Sequence, residues 1–212
     1  MRPLLLLLAL LVAAGALFAS TSAGHRVLGL PSSSRAAVSS PSHVAPLRVA
    51  ALYGAQDPWR EYLASEQTCP GGTRTDLPSG VQMQVMLCLI DYARRQRGLS
   101  QPTQTTLLSS TALQKANEIV RCQTFAHAPC GGSPDDDVRA TGFEGAFGEN
   151  LYVAEGPYGA PRVALDGWLN SPEHRENLFR PEWTTQGIAA LRLPTFLAYH
   201  NATLWVSHFA NG

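Results

Sequence analysis

The chain has 212 residues, a length that fits one domain or at most two. Its 16 basic and 16 acidic residues give no formal net charge, and no long run of one sign occurs. A nucleic-acid interface needs a clustered basic face, so nucleic acid is excluded as the expected partner.

The N-terminal segment has the order of a secretory signal peptide. Arg2 precedes an apolar run over residues 4–17, and small residues follow as far as Ala23. This order predicts a signal peptide over residues 1–23. The run is shorter than the about 20 apolar residues of a spanning helix, so we expect no stable membrane span after cleavage. Retention as an anchor is the alternative. The protein is therefore expected to be secreted and to act at or beyond the cell envelope.

A change of composition separates this segment from the rest of the chain. Residues 24–58 are rich in Pro, Ser, Ala and Val without a periodic pattern, which predicts a flexible linker. Residues 59–212 have the common size of a single domain.

Two amphipathic helices are predicted in the first half of this domain. The first helix ends at a left-handed stop, Gly98. The second begins near residues 109–111, where Ser and Thr are good caps, and ends about Cys122. The predicted inward faces are Val81, Val85, Cys88, Leu89 and Tyr92 in the first helix, and Leu113, Ala116 and Val120 in the second.

Two further helices are predicted from proline at a first helical position. Pro161 starts one that ends near Asn170, and Ser171 with Pro172 starts a short one. Ala164, Leu165 and Trp168 are expected to face inward, and Trp168 and Trp205 to lie in the core.

Strands are predicted in the second half of the domain, at residues 151–154, 187–193, 196–199 and 204–209, with a turn at residues 200–202. The strands follow the helices instead of alternating with them. This order favours an α+β fold in which helices cover an antiparallel sheet.

Three polar clusters combine ionisable side chains with signals for close packing: residues 125–127 (Phe-Ala-His), 148–150 (Gly-Glu-Asn) and 168–177 (Trp-Leu-Asn-Ser-Pro-Glu-His-Arg-Glu-Asn). A Gly-Ile segment at Gly187 and a tryptophan strand at Trp205 follow. In this order the motifs resemble the CAP (SCP-like) extracellular domain family, over nearly all of residues 86–209.

The resemblance implies a three-layer α-β-α sandwich with a mostly antiparallel central sheet and a cleft lined by His127, Glu149 and His174. Many eukaryotic relatives have a second cleft glutamate where this chain has Ser171. Glu173, which stands where bacterial relatives commonly have glycine, could complete the set only by turning into the cleft. Glu149 and Glu173 are therefore the candidate catalytic carboxylates.

Four cysteines in an exported protein are expected to form disulfides, and three pairings are open. Local pairing joins Cys122 to Cys130 around His127, and Cys69 to Cys88, and this pairing also matches the resemblance. A zinc site built from Cys122, Cys130 and His127 is the alternative.

The site chemistry leaves three functions open. Two neutral imidazoles, His127 and His174, with Glu149 could bind zinc or another divalent metal and leave a position for water. The first hypothesis is a cleft that binds such a metal, or a lipid, a cell-wall component or a protein of the envelope. The second is metal-assisted extracellular hydrolysis, although no common hydrolase motif is present. The third is a structural cluster that fixes one strand to two helices.

Overall fold

The computed structural model describes residues 57–211, so the predicted signal peptide and nearly all of the predicted linker lie outside the described residues. The helices are α1 (Ser79–Gln96), α2 (Thr106–Cys122), α3 (Asp136–Arg139), α4 (Pro161–Asn170) and α5 (Pro172–Leu178), with 3-10 turns at Arg60–Tyr62 and Gly156–Gly159. The strands are β1 (Thr103–Gln104), β2 (Ala146–Glu155), β3 (Thr185–Phe196) and β4 (Tyr199–Asn211).

The four strands form one sheet in the order β1-β3-β4-β2. β4 pairs antiparallel with both β2 and β3, and the short β1 pairs parallel with β3. The sheet is therefore mixed through one short strand. β2 lies at an edge of the sheet, so loops from both helical layers can contact it.

Alternate residues of the sheet pack against different helical layers. Leu204 and Val206 belong to the apolar cluster that contains the alanines of α2. Trp205 and Phe209 belong to the cluster formed with α1 and α4, which also contains Trp168. Helices thus cover both faces of the sheet, and the predicted α-β-α sandwich with its buried tryptophans is confirmed.

The end of α1 follows its prediction. Gly98 has a φ of 73° and donates its backbone N–H to Arg95, while Leu99 donates to Arg94. These two bonds form a Schellman motif, which ends a helix with a left-handed glycine. The predicted inward position of Val81 is wrong, because its side chain is 46% exposed in the first turn of α1.

α2 begins one turn earlier than predicted. Thr105 is its N-cap, and the threonine side chain accepts a hydrogen bond of 3.2 Å from the backbone of Leu108. The predicted inward position of Leu113 is also wrong, since this residue is 44% exposed. The small side chains Ala112 and Ala116 face the sheet instead, which allows a close approach of the helix.

The last two strands are joined at a different place from the one predicted. The turn lies at residues 197–198, and residues 200–202 belong to β4. Phe196 pairs directly with Tyr199, so the loop has only two residues. Asn201 does adopt a left-handed φ of 49°, a conformation that asparagine tolerates better than most residues. It does so within the strand and not in the turn.

Gly187 allows the close approach of α2 to β3. A Cβ atom at this position would meet the backbone of Leu108 and Ser109. Backbone atoms cannot turn aside as a flexible side chain can, so the helix itself would have to move.

We expect Gly187→Ala to lower the free energy of unfolding by about 1–3 kcal/mol, the usual range for overpacking. The matched control is Gly80→Ala in the first turn of α1, where a Cβ would meet nothing within 4 Å. This control is expected to be neutral or stabilising by less than about 1 kcal/mol. Urea unfolding of both variants tests the pair. Equal stability of Gly187→Ala and the parent would contradict the proposed packing limit.

Candidate functional site

The Glu149 carboxylate lies between two imidazoles. Nδ1 of His127 lies 2.6 Å from Oε1, and Nε2 of His208 lies 2.9 Å from Oε2. Glu149 and His208 are direct partners in the antiparallel ladder of β2 and β4, so the sheet register fixes their contact. The Glu149 side chain is only 3% exposed, whereas that of His127 is 47% exposed. A buried carboxylate thus holds a half-exposed imidazole.

His208 extends this contact into the α2 layer. Its Nδ1 lies 3.0 Å from the hydroxyl of Thr111, and that hydroxyl lies 3.2 Å from the carbonyl oxygen of Leu108. His208 is fully buried. The sequence motifs do not single out His208, so its contact with Glu149 was not foreseen. The alternation of Leu204, Val206 and His208 on the face toward α2 is the signal that could have found it.

The electrostatics of Glu149 favour its charged form. Burial alone would raise its pKa, but hydrogen bonds from His127 and His208, with the nearby charges of His208 and Lys115, outweigh burial. The pKa of Glu149 is therefore below its ordinary value. An ionised carboxylate accepts a hydrogen bond from each ring, so both of its oxygens are occupied by N–H donors.

A disulfide and the buried ammonium group of Lys115 hold the loop that carries His127. Cys122 and Cys130 form a disulfide on either side of it, and Cys69 pairs with Cys88, so the predicted pairing is confirmed. Because the sulfurs of Cys122 and Cys130 are bonded to each other, they are not available as zinc ligands.

Lys115, the single lysine of the chain, reaches the same loop from α2. Its ammonium group donates to the carbonyl oxygens of His127 at 2.8 Å and Pro134 at 3.1 Å. It also lies 3.1 Å from the Asp137 carboxylate in an ion pair whose side chains are 2% and 3% exposed. The buried ammonium therefore fixes the backbone at His127 directly.

His174 comes from the opposite helical layer, on α5. Asn150 donates its side-chain amide to the carbonyl oxygen of His174 at 3.0 Å and accepts one from Asn177, also at 3.0 Å. Glu149 and Asn150 are neighbours on an edge strand, and their side chains point to opposite faces of the sheet. The Gly-Glu-Asn motif therefore contacts the His127 loop with one residue and α5 with the next.

Ser171 contacts Nδ1 of His174, and Glu173 contacts that serine in turn. The Ser171 hydroxyl lies 2.8 Å from Nδ1 of His174 and 3.3 Å from the Glu173 carboxylate. The serine thus separates the carboxylate from the imidazole, and Glu173 is exposed. This order differs from a nucleophilic triad, in which the histidine lies between the other two groups.

The pKa of His174 is lowered. Burial is the main cause, the charge of His127 lowers the pKa further, and the Glu173 carboxylate opposes both. His127 and His174 are therefore close enough for their charges to repel. In residues 57–211 no three side chains of His, Cys, Asp or Glu are arranged to hold a metal ion.

We predict opposite pKa shifts of His174 in two variants. His127→Gln removes a repelling charge, so the pKa of His174 should rise. Glu173→Gln removes an attracting carboxylate, so the pKa should fall. NMR titration of the His174 ring protons measures both. Shifts of the same sign in the two variants would contradict the placement of His174 between these groups.

Lys115→Met should destabilise the protein by about 3–5 kcal/mol, because it leaves the buried Asp137 carboxylate without its ammonium partner. The double variant Lys115→Met with Asp137→Leu should recover a large part of this loss, since it removes both buried charges. Urea unfolding at neutral pH compares the three proteins. A single variant as stable as the parent would show that the ion pair does not hold the loop.

Relatives of the chain were found by sequence and by structure. The sequence is 27% identical over 141 residues to the protein YkwD of Bacillus subtilis, an alignment that covers 65% of this chain and 51% of YkwD. The chain thus spans about half the length of this curated relative.

Two solved structures share the fold. An extracellular protein of Bacillus anthracis that contains an SCP domain superposes with a TM-score of 0.53 at 20% identity, over 63% of this chain and 41% of that chain. An outer surface protein of Borrelia burgdorferi gives 0.52 at 19% identity, over 60% of this chain and 90% of that chain. Among residues 57–211 no helix is long and apolar enough to cross a bilayer.

The sequence model of one protein family matches most of the sandwich. The model of the cysteine-rich secretory protein family, CAP, matches residues 87–209. This range contains β2 with Glu149, the His127 loop and α5 with His174. The chain therefore belongs to the CAP family of cysteine-rich secretory proteins.

Proposed function

We propose that this CAP protein is secreted and binds a divalent cation in the cleft between His127 and His174. Export is supported by the signal-peptide pattern over residues 1–23 and by the two disulfides, which persist in oxidising compartments. It is also supported by the relatives described as extracellular and outer-surface proteins.

The anchoring of the two imidazoles carries the proposal for the cleft. His127 is bound through Nδ1 to the buried Glu149 carboxylate, and His174 is bound through Nδ1 to Ser171. Within the described part of the chain, neither Nε2 atom has a hydrogen-bond partner. Histidines that bind metals are usually fixed in this way, because a hydrogen bond at one ring nitrogen orients the other toward the ion.

The residues of the cleft fit a cation that takes only part of its ligands from the protein. His127 and His174 would supply two nitrogen ligands, and water or a ligand of the envelope would supply the rest. Both oxygens of Glu149 accept hydrogen bonds from imidazoles, so this carboxylate supports His127 instead of binding the ion. A bound cation of this kind acts as a Lewis acid toward oxygen groups.

The open positions define the expected partner. A divalent cation held by two imidazoles beside the edge strand β2 would accept carboxylate, phosphate or hydroxyl oxygens from a larger molecule. A lipid headgroup, a cell-wall component or a protein side chain offers such oxygens. The cleft is proposed as a place where the cation joins this protein to an envelope ligand.

Calorimetric titration of the whole metal-free protein with Zn²⁺ tests the proposal. The parent should bind one ion, and His127→Gln and His174→Gln should each lose most of the affinity. Glu149→Gln should bind about 10–100 times more weakly, as expected for a group that orients a ligand. The matched control His200→Gln removes an exposed histidine of β4 and should bind as the parent does.

Circular dichroism of each variant establishes that the fold is intact. Absence of Zn²⁺ binding by the folded parent would reject the proposal. Equal loss of binding in His200→Gln would also reject it, because it would show that binding is not specific to the cleft.

A further inference from the structure

A second concave site lies between the C-terminal end of α1 and α5 with the turn after α5. This groove has a volume of about 780 Å³, and His127, Glu149 and His174 are not among its lining residues. Its volume is within the range of small-molecule sites. Three arginines line it, Arg97, Arg175 and Arg180, and we call it the arginine groove.

Each of the three guanidinium groups lies over an aromatic ring. The central carbon of Arg97 is 5.4 Å from the centroid of Phe179, and that of Arg175 is 4.3 Å from Trp59. The Arg180 group is 5.3 Å from the Trp183 ring. Such cation–π contacts limit the motion of the guanidinium groups without using their N–H donors.

Few of these donors are used by the protein. Arg97 donates one bond of 3.3 Å to the Tyr62 hydroxyl, and Arg175 donates one of 2.7 Å to the carbonyl oxygen of Leu169. Arg180 donates none to the residues that the structure describes. Among residues 57–211, none of the three arginines has a carboxylate oxygen within 4.0 Å.

A buried arginine holds the turn that carries Arg180. Arg94 is fully buried and donates to the carbonyl oxygens of Leu178 at 2.7 Å and Arg180 at 3.0 Å. Its charge lies beneath the turn that forms one side of the groove. The backbone at Arg180 is thus fixed from below, and a further positive charge raises the local potential.

We propose that the arginine groove binds a phosphate ester. Arginine forks bind phosphate oxygens through charge-assisted hydrogen bonds. Three guanidinium groups, from the end of α1, from α5 and from the turn after α5, can approach a tetrahedral group from several sides, whereas a planar carboxylate offers only two oxygens. The apolar side chains Leu99 and Phe179 also line the groove and would contact the carbon part of the ester.

Calorimetric titration of the whole protein with sn-glycerol 3-phosphate at low salt tests this site, because salt screens exposed charges. The double variant Arg97→Gln with Arg180→Gln should bind at least about tenfold more weakly. The matched control is Arg121→Gln, which removes an arginine that is 68% exposed on α2, outside the groove. It should bind as the parent does.

Substitutions of the two acidic lining residues give a result of opposite sign. Glu176 and Glu182 line the groove, and their carboxylates repel an anion. Glu176→Gln with Glu182→Gln should therefore bind the ester several-fold more tightly. His127→Gln should leave ester binding unchanged, so loss of the cation site would not affect this result.

A second experiment, with vesicles of phosphatidylglycerol, distinguishes a lipid headgroup from a soluble ester as the source of the phosphate. Vesicle binding that is lost in the arginine double variant identifies a lipid headgroup, and binding of the free ester alone identifies a soluble ester. Acetate binding as tight as ester binding would overturn the proposal. Failure to bind both ester and vesicles, or an equal loss in Arg121→Gln, would overturn it as well.

Discussion

The burial of the Glu149 carboxylate is the constraint on which the site depends. A charge removed from water must be paired and hydrogen-bonded, and here two imidazoles do this from different parts of the chain. His208 is placed by the strand register, while His127 is placed by a loop that the Cys122–Cys130 disulfide and the Lys115 ammonium close. Displacement of the loop would leave one carboxylate oxygen without its donor, so the order of the loop and the charge of the site are coupled.

The helix boundaries could be predicted from the sequence because their signals are local, whereas the layered sandwich and the cleft residues His127, Glu149 and His174 were expected only through the resemblance to the CAP family. Gly98 marks the end of α1, and Pro161 and Pro172 mark the starts of α4 and α5. The Gly-Glu-Asn motif places two polar side chains on opposite faces of β2. These features follow from the backbone preferences of single residues and from the two-residue period of a strand. A short stretch of sequence is therefore enough to predict them.

The features that prediction missed depend on contacts between distant residues. The turn at residues 197–198 contains neither glycine nor asparagine, and its position follows from the pairing of β3 with β4. Leu113 has the hydrophobicity of a core residue, but the face of α2 is decided by how closely Ala112 and Ala116 can approach the sheet. Likewise, His208 joins the site only because register brings it opposite Glu149, 59 residues earlier in the chain.

The burial of Lys115 gives the folded protein an unusual surface chemistry. Since it is the single lysine, all other basic side chains are arginines or histidines, and the side chain of Lys115 is only 2% exposed. Within the part of the chain that the structure describes, reagents that acylate amines would therefore find no readily accessible lysine amine. Acylation of Lys115 would require the loop around His127 to open, so its rate would report how often the loop detaches from α2.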